Sequence, residues 1–354
     1  MLVRVLIAVL AFLNALGAPD RLPPPPEPIT RVERLTLAFY YPWYGSPDGP
    51  SKRWVHWEGI DPANHDITNS GDYPALGAYD SLDPAVVTQH MGWAHDAGLD
   101  GFVVSWWGEG THEDRAVPLI LEEASKHGLH ISLYIERTPG DRTGPGAADA
   151  TTDMLLELAH TYGRHPAFLK VNDRPVLFAY VRLNQQLTNR GWNRVLNRLR
   201  LEGDDAPIII GDRPPDPIRP AFDGWHTYDP MGQIFHERDR YPDLAAWARH
   251  TFAAWIAKGR DTAGITCVTI CPGYDDRYFR SPGVFVPRDG GETYRVLWRE
   301  AIEASPDWIL ITSFNEWHET SEIEPSAEHG ERYLDITREM TAERKRSREN
   351  EPRP

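Results

Sequence analysis

The chain has 354 residues, 41% hydrophobic and 11% aromatic, enough to bury a large core as one α/β barrel with a leader and tail, or as two ordinary domains. Thirty-seven basic against 52 acidic side chains give a net charge of −15. That argues against a nucleic-acid or anionic-membrane partner and fits a soluble protein with a neutral or cationic ligand, although acidity also serves solubility alone. The two cysteines stand in Cys267-Val-Thr-Ile-Cys271. On a strand their Cα atoms would lie about 13 Å apart at ~3.3 Å per residue, so two buried thiols are expected and no disulfide.

In chain order, Arg4, the apolar run Val5–Leu13 and Ala15-Leu16-Gly17-Ala18 follow the charged, apolar and small-residue order of a secretory signal. Residues 1–18 are therefore read as a signal peptide and the protein as secreted or extracytoplasmic. An uncleaved anchor is the alternative, which the shortness of the run disfavours. Pro23-Pro24-Pro25-Pro26 and Pro28 make residues 19–33 a stiff spacer. Residues 34–345 form the expected catalytic domain and residues 346–354 a charged, fraying tail.

Eight strands are predicted at Leu35–Tyr41, Gly101–Trp106, His130–Ile135, Pro175–Tyr180, Pro207–Gly211, Gly224–Thr227, Ile265–Cys271 and Trp308–Ser313. Helical spacing predicts Pro84–Ala97, Arg115–His127, Asp149–Tyr162, Trp192–Leu201, Leu244–Lys258, Thr293–Ala304 and Glu331–Lys345. Asp83-Pro84 starts the first helix, and Gly98 and Gly128 end the first two. Strands and helices in alternation indicate a parallel sheet, and eight of them a single (β/α)8 TIM barrel. An open doubly wound sheet is the runner-up, without the glycine fingerprint after its first strand.

In such a barrel, chemistry gathers at the C-terminal strand ends. Those ends here carry Tyr40-Tyr41-Pro42-Trp43-Tyr44, Ser105-Trp106-Trp107, Tyr134-Ile135-Glu136, His226-Thr227-Tyr228-Asp229 and Tyr274-Asp275-Asp276, with Trp54-Val55-His56-Trp57 in the first loop. Rings that stack on sugar C–H faces, beside groups that hydrogen-bond hydroxyls, suit a carbohydrate. Any single Trp or Tyr could be core packing; their accumulation on one edge is the signal. The apolar run Ile309–Ser313 breaks into Asn315-Glu316-Trp317-His318-Glu319, two carboxylates three residues apart on one rigid edge, an acid and a base. A metal reading of Glu316, His318, Glu319, Glu322 and Glu324 lacks a recognised spacing. No Gly-x-Ser-x-Gly or Cys–His nucleophile pattern occurs.

Phe39-Tyr40-Tyr41-Pro42-Trp43-Tyr44-Gly45, His56-Trp57, Tyr79-Asp80-Ser81-Leu82-Asp83-Pro84, Pro272-Gly273-Tyr274 and Thr312–Glu319, extended by Glu322-Ile323-Glu324-Pro325, resemble glycoside hydrolase family 99, the endo-α-1,2-mannosidases and endo-α-1,2-mannanases. The resemblance spans about Leu35 to Tyr333. It implies a (β/α)8 barrel, endo cleavage of an α-mannosidic bond with retention, and no metal or organic cofactor. Glu316 matches the residue acting on the sugar 2-hydroxyl, and Glu319 the general acid/base. Tyr41, Tyr44, His56, Trp57, Trp106, Trp107, Glu136, Tyr228, Asn315 and His318 fall in segments matching the sugar subsites. The implied partner is an α-mannose-containing oligo- or polysaccharide, handled by a monomer with no nucleic acid and no integral membrane partner.

The chain departs from the family pattern at Trp107-Gly108-Glu109, Arg137-Thr138-Pro139 and Thr320-Ser321, where the substrate would border the loops, so a shifted specificity is open. Two other readings stand beside the leading one. The same mechanism could act on another α-linked polysaccharide, or the barrel could be a carbohydrate-binding or polysaccharide-assembly protein without turnover. Retention of both Glu316 and Glu319 disfavours the last.

Overall fold

The computed structural model describes residues 32–212, 222–261 and 264–349. The expected signal peptide and nearly all of the Pro-rich spacer lie outside them, as do residues 350–354. The described chain forms eight parallel strands: β1 (Leu35–Tyr40), β2 (Gly101–Trp106), β3 (His130–Ile135), β4 (Arg174–Ala179), β5 (Ile208–Asp212), β6 (Gly224–His226), β7 (Ile265–Ile270) and β8 (Trp308–Ile311). Each pairs with its neighbours in sequence, and β1 pairs with β8 (Leu35 opposite Trp308), so the sheet closes. Between β2 and β3 the backbones approach closely. A Cβ on Gly101 would sit 1.9 Å from the His130 carbonyl oxygen, which is why that strand begins with glycine.

The helices are α1 (Pro84–Asp96), α2 (His112–His127), α3 (Pro145–Thr161), α4 (Val181–Leu201), α5 (Pro230–Glu237), α6 (Leu244–Asp261), α7 (Glu292–Ala304) and α8 (Arg332–Glu349). Asp83 caps α1 by accepting from the Ala85 N–H, with Pro84 in the first turn. Gly128 ends α2 at φ 68°, and Thr111 caps its start. The helix α8 runs through Glu349, so residues 346–349 of the expected fraying tail are helical. Among the described residues no helix is long and apolar enough to cross a membrane.

Alternation along each strand separates two cores. Side chains such as Phe39, Val103, Tyr134, Phe178, Ile210, Cys267, Trp308 and Leu310 fill the barrel. Ala38, Phe102, Val104, Leu133, Leu177, Val268 and Ile309 pack outward beneath the helices. Fully buried side chains of this size each contribute roughly 1.5–3 kcal/mol relative to exposure. The interior is unusually aromatic: Phe39 lies 4.9 Å from Tyr134 and 5.0 Å from Tyr228, ring centre to centre. These rings form the floor of the catalytic face. Both cysteines are buried free thiols, as their spacing requires.

Candidate active site

The site is built on the segment leaving β8. Its anchor is Asn315, which is fully buried. Its side-chain oxygen accepts from the Tyr41 N–H (2.7 Å) and its amide donates to the Tyr41 carbonyl and the Tyr79 hydroxyl (both 3.1 Å). This ties the ends of β1 and β8 together. Tyr44 adds a second tie, its hydroxyl donating to the Asn315 carbonyl (3.2 Å) and accepting from the Trp317 N–H (3.1 Å). The long β1–α1 loop is drawn in by Asp80, which accepts from the Ser51 N–H (2.7 Å) and hydroxyl (3.0 Å) and the Leu82 N–H (2.9 Å). The Tyr79-Asp80-Ser81-Leu82-Asp83-Pro84 motif is thus loop closure followed directly by a helix start.

On this anchored segment a 3-10 turn, Trp317–Glu319, presents both carboxylates. Glu316 caps the turn, accepting from the His318 N–H at 3.1 Å. His318 reaches the His56 carbonyl through Nε2 (2.8 Å), so that nitrogen carries a proton, and its Nδ1 lies 3.3 Å from Glu316. Burial opposes charge on His318, but the hydrogen bond and charge of Glu316 prevail and hold its pKa above the ordinary value. With both ring nitrogens protonated, Nδ1 faces Glu316 as a donor. Glu319 has different neighbours. Burial, then the charge of Glu316, push its pKa up to about 7, against the pull of Arg280 and the Tyr228 hydroxyl. Tyr228 donates to Glu319 at 2.9 Å and Arg280 Nη1 lies at 3.2 Å. Of the two carboxyls, Glu319 is thus the one held toward its protonated form.

Glu136, at the end of β3, faces both. Burial is the main reason its carboxyl is pushed up to about 8, with Glu316 adding and the Ser105 hydrogen bond (2.7 Å) opposing. Burial first, then Glu136, Glu316 and Glu319 in that order, keep the Tyr41 hydroxyl protonated well above its ordinary range. Above these sits an aromatic wall. Trp43 stacks on His56 at 4.6 Å and 11°, with Tyr41 4.7 Å and Trp107 6.4 Å away.

Eight of the twelve residues singled out in the sequence come together here: Glu316, Glu319, Tyr41, His56, Trp107, Glu136, Tyr228 and His318. Four do not reach the cleft. Asn315 and Tyr44 are the ties described above, and Trp57 stacks behind Tyr44 at 3.9 Å and donates to the Tyr79 carbonyl. Trp106 points outward under α2, where its indole donates to Asp114 at 2.7 Å. Glu322 and Glu324, part of the alternative metal reading, are engaged elsewhere: Glu322 with Arg288, and Glu324 with His90 (3.1 Å) and Tyr79 (2.9 Å). Among the described residues no cluster of His, Cys, Asp and Glu could hold a metal ion. Sequence reading also passed over Trp43 as a named site residue, and Arg280 and Phe279 entirely. The last two come from the loop of a short ribbon, Tyr274–Asp275 with Phe285–Val286, and Phe279 stacks on His318 at 5.3 Å.

A (β/α)8 barrel with two buried glutamates on the turn after its last strand, beside a wall of aromatic rings, has the architecture of a glycoside hydrolase. Residues 31–341 match the profile of glycosyl hydrolase family 99, and the chain belongs to that family. It is 27% identical to the glycoprotein endo-alpha-1,2-mannosidase-like protein of Mus musculus, over 86% of this chain and 72% of that one. It is 26% identical to the glycoprotein endo-alpha-1,2-mannosidase of the same organism, over 84% and 69%. Superposition on the family 99 endo-alpha-mannosidase from Bacteroides thetaiotaomicron gives a TM-score of 0.71 at 25% identity, covering 90% of this chain and 99% of that one.

Proposed function

We propose that the protein is a retaining endo-acting hydrolase of α-1,2-linked mannosides, in mannan or N-glycan-like chains, that uses the mannose 2-hydroxyl as its nucleophile. The observation that carries this reading is the placement of Glu316 and Glu319 on one 3-10 turn, with His318 beside the first and Tyr228 and Arg280 beside the second. An ordinary retaining pair flanks the scissile bond from opposite faces, about 5–5.5 Å apart, with one carboxylate attacking C1. Two carboxylates on one short turn fit a different division of labour. Glu316 takes the proton from O2, O2 attacks C1 from the face opposite the leaving group, and Glu319 protonates the departing oxygen. In an α-mannoside O2 and the leaving group are trans-diaxial, so this displacement is open. The 1,2-anhydro sugar is then opened by water, which gives its proton to Glu319 while O2 recovers one from Glu316. Two inversions leave the configuration retained.

In this reading His318, stacked on Phe279 with its Nδ1 3.3 Å from Glu316, positions the base, and Tyr228 orients the acid. With the leader read in residues 1–18, the substrate in this proposal is an extracytoplasmic glycan. The test is incubation with α-1,2-mannan and with a mannose-capped α-1,2-linked glycan, products resolved by size. Disaccharide or larger products support endo cleavage, and release of monosaccharide alone contradicts it. A substrate lacking the 2-hydroxyl at the cleaved sugar should resist hydrolysis; normal cleavage would remove O2 from the mechanism.

A further inference from the structure

We propose that the Trp107 end of the cleft receives an oxyanion carried by the glycan, a phosphate, sulfate or carboxylate on a sugar at the end of the chain remote from Glu319. Which side of the cleaved bond this is rests on the proposed function: Glu319, with Arg280, stands on the leaving-group side, whereas Trp107 connects through Ser105 to Glu136 and through Trp43 to the His318 side.

Two guanidinium groups converge there. Arg137 follows β3 directly and Arg182 lies in the first turn of α4, so both sit on the catalytic face. Their Cζ atoms are 5.8 and 5.6 Å from the centre of the Trp107 ring. Arg137 donates through Nε to the Trp107 carbonyl (2.7 Å) and through Nη1 to Asp141 (2.6 Å). Arg182 donates through Nη2 to the other oxygen of Asp141 at 3.1 Å, an oxygen that also accepts from the Gln186 amide at 2.9 Å.

One carboxylate between two arginines leaves a positive charge uncompensated within the cluster, in a chain whose net charge is −15. Holding the tryptophan explains Arg137, which already fixes its backbone. The cation–π contact with the same ring accounts for where Arg182 sits, but not for its Nε and Nη1, which have no partner among the described residues on a side chain 41% exposed. A neutral sugar stacking on an indole needs no cation beside it. A planar fork over the indole, with Nε and Nη1 unused, matches the oxygens of an oxyanion.

The test is calorimetric binding to the full chain carrying Glu319→Gln, which blocks turnover. The probes are an α-1,2-mannobioside and its forms bearing a phosphate, a sulfate or a carboxylate on the non-reducing sugar. At least one charged form should bind about tenfold more tightly at low salt, the half-exposed setting limiting the gain, and the gap should close as salt rises. Arg182→Gln should abolish the preference, Arg182→Lys keep part of it, and Asp141→Asn widen it. Equal or weaker binding of all three charged forms overturns the proposal, and if α-1,2-mannan is still cleaved by the wild-type chain the glycosidase reading stands without it. A charged-form preference that Arg182→Gln leaves intact overturns it too. A preference that Arg182→Gln removes, in a protein that does not cleave mannan, supports the anion site and sinks the mannan reading.

Discussion

Four glutamates within nine residues, Glu316, Glu319, Glu322 and Glu324, share one loop and one degree of burial, yet they divide into two kinds. Glu316 meets the His318 donors through one oxygen, Oε1, and Glu319 takes the Tyr228 hydroxyl on Oε2 and the half-exposed Arg280 on Oε1. The second two are enclosed: Glu324 is held by His90, Tyr79 and the Trp317 indole (3.3 Å). Glu322 meets Arg288, which also holds the Glu322 carbonyl (3.0 Å), the Thr320 carbonyl (3.1 Å) and Asp72 (3.6 Å). Burial alone does not mark a carboxylate as reactive. What distinguishes the front pair is its neighbours, His318 beside Glu316 and the Tyr228 hydroxyl with a half-exposed Arg280 beside Glu319, whereas the rear pair fixes the turn on which they ride.

The comparison breaks most sharply by mutation. Glu319→Gln or Glu316→Gln should lower kcat by about 10²–10⁴-fold, the usual worth of a positioned acid or base, while glycan affinity holds and the thermal midpoint at pH 4 changes little. Arg288→Met should do the reverse in kind, costing about 3–5 kcal/mol of stability in a denaturant titration because it leaves buried acceptors unpaired. A midpoint unchanged by that substitution would dissolve the distinction between the pairs.

Titration sharpens it further. In the proposed mechanism Glu319 holds its proton to release the leaving group, so kcat should fall as pH rises through about 7. The stability sign follows from the same shift. Glu136 and Glu319 are raised from 4.5 to about 8 and about 7, so the folded state holds their protons longer than the unfolded one. Their contribution is full below pH 4.5 and is lost as pH climbs toward 8. Glu136→Gln should therefore raise the thermal midpoint at pH 8 and change it little at pH 4. The smallest effect belongs to Arg280→Gln. Removing a half-exposed cation from beside Glu319 should move the alkaline limb of kcat upward by under about one pH unit; a downward move would contradict its role.

The frame was legible from sequence because parallel strands are short apolar runs and their intervening helices have clean starts and stops. Every predicted strand lies within two residues of an observed one. The helix α4 was recognised only from Trp192 because its first half is polar and Thr188, at φ 60°, interrupts it. The short helix α5 offers too few turns for a periodic stripe. Trp106 and Trp107 could not be told apart for a related reason: β2 is buried on both faces, so hydrophobicity carries no record of which side is inward. Arg280 escaped because it lies 39 residues from Glu319, in the Asp275–Arg280 charge run that reads equally well as solvated surface. Asn315 looked like a sugar ligand because an amide that clamps two backbone ends has the same composition as one that greets a hydroxyl.

The last helix also has a duty at the far pole of the barrel. There Arg344 donates to the carbonyls of Leu35 (2.6 Å), Pro306 (3.2 Å) and Asp307 (2.9 Å) and to the Thr36 hydroxyl (2.9 Å). One guanidinium thus stitches the first strand to the approach of the eighth, where the sheet meets itself. Shortening the chain to residue 343 would unfasten that seam from below, and the distant glutamates would lose their alignment through the very strands that carry them.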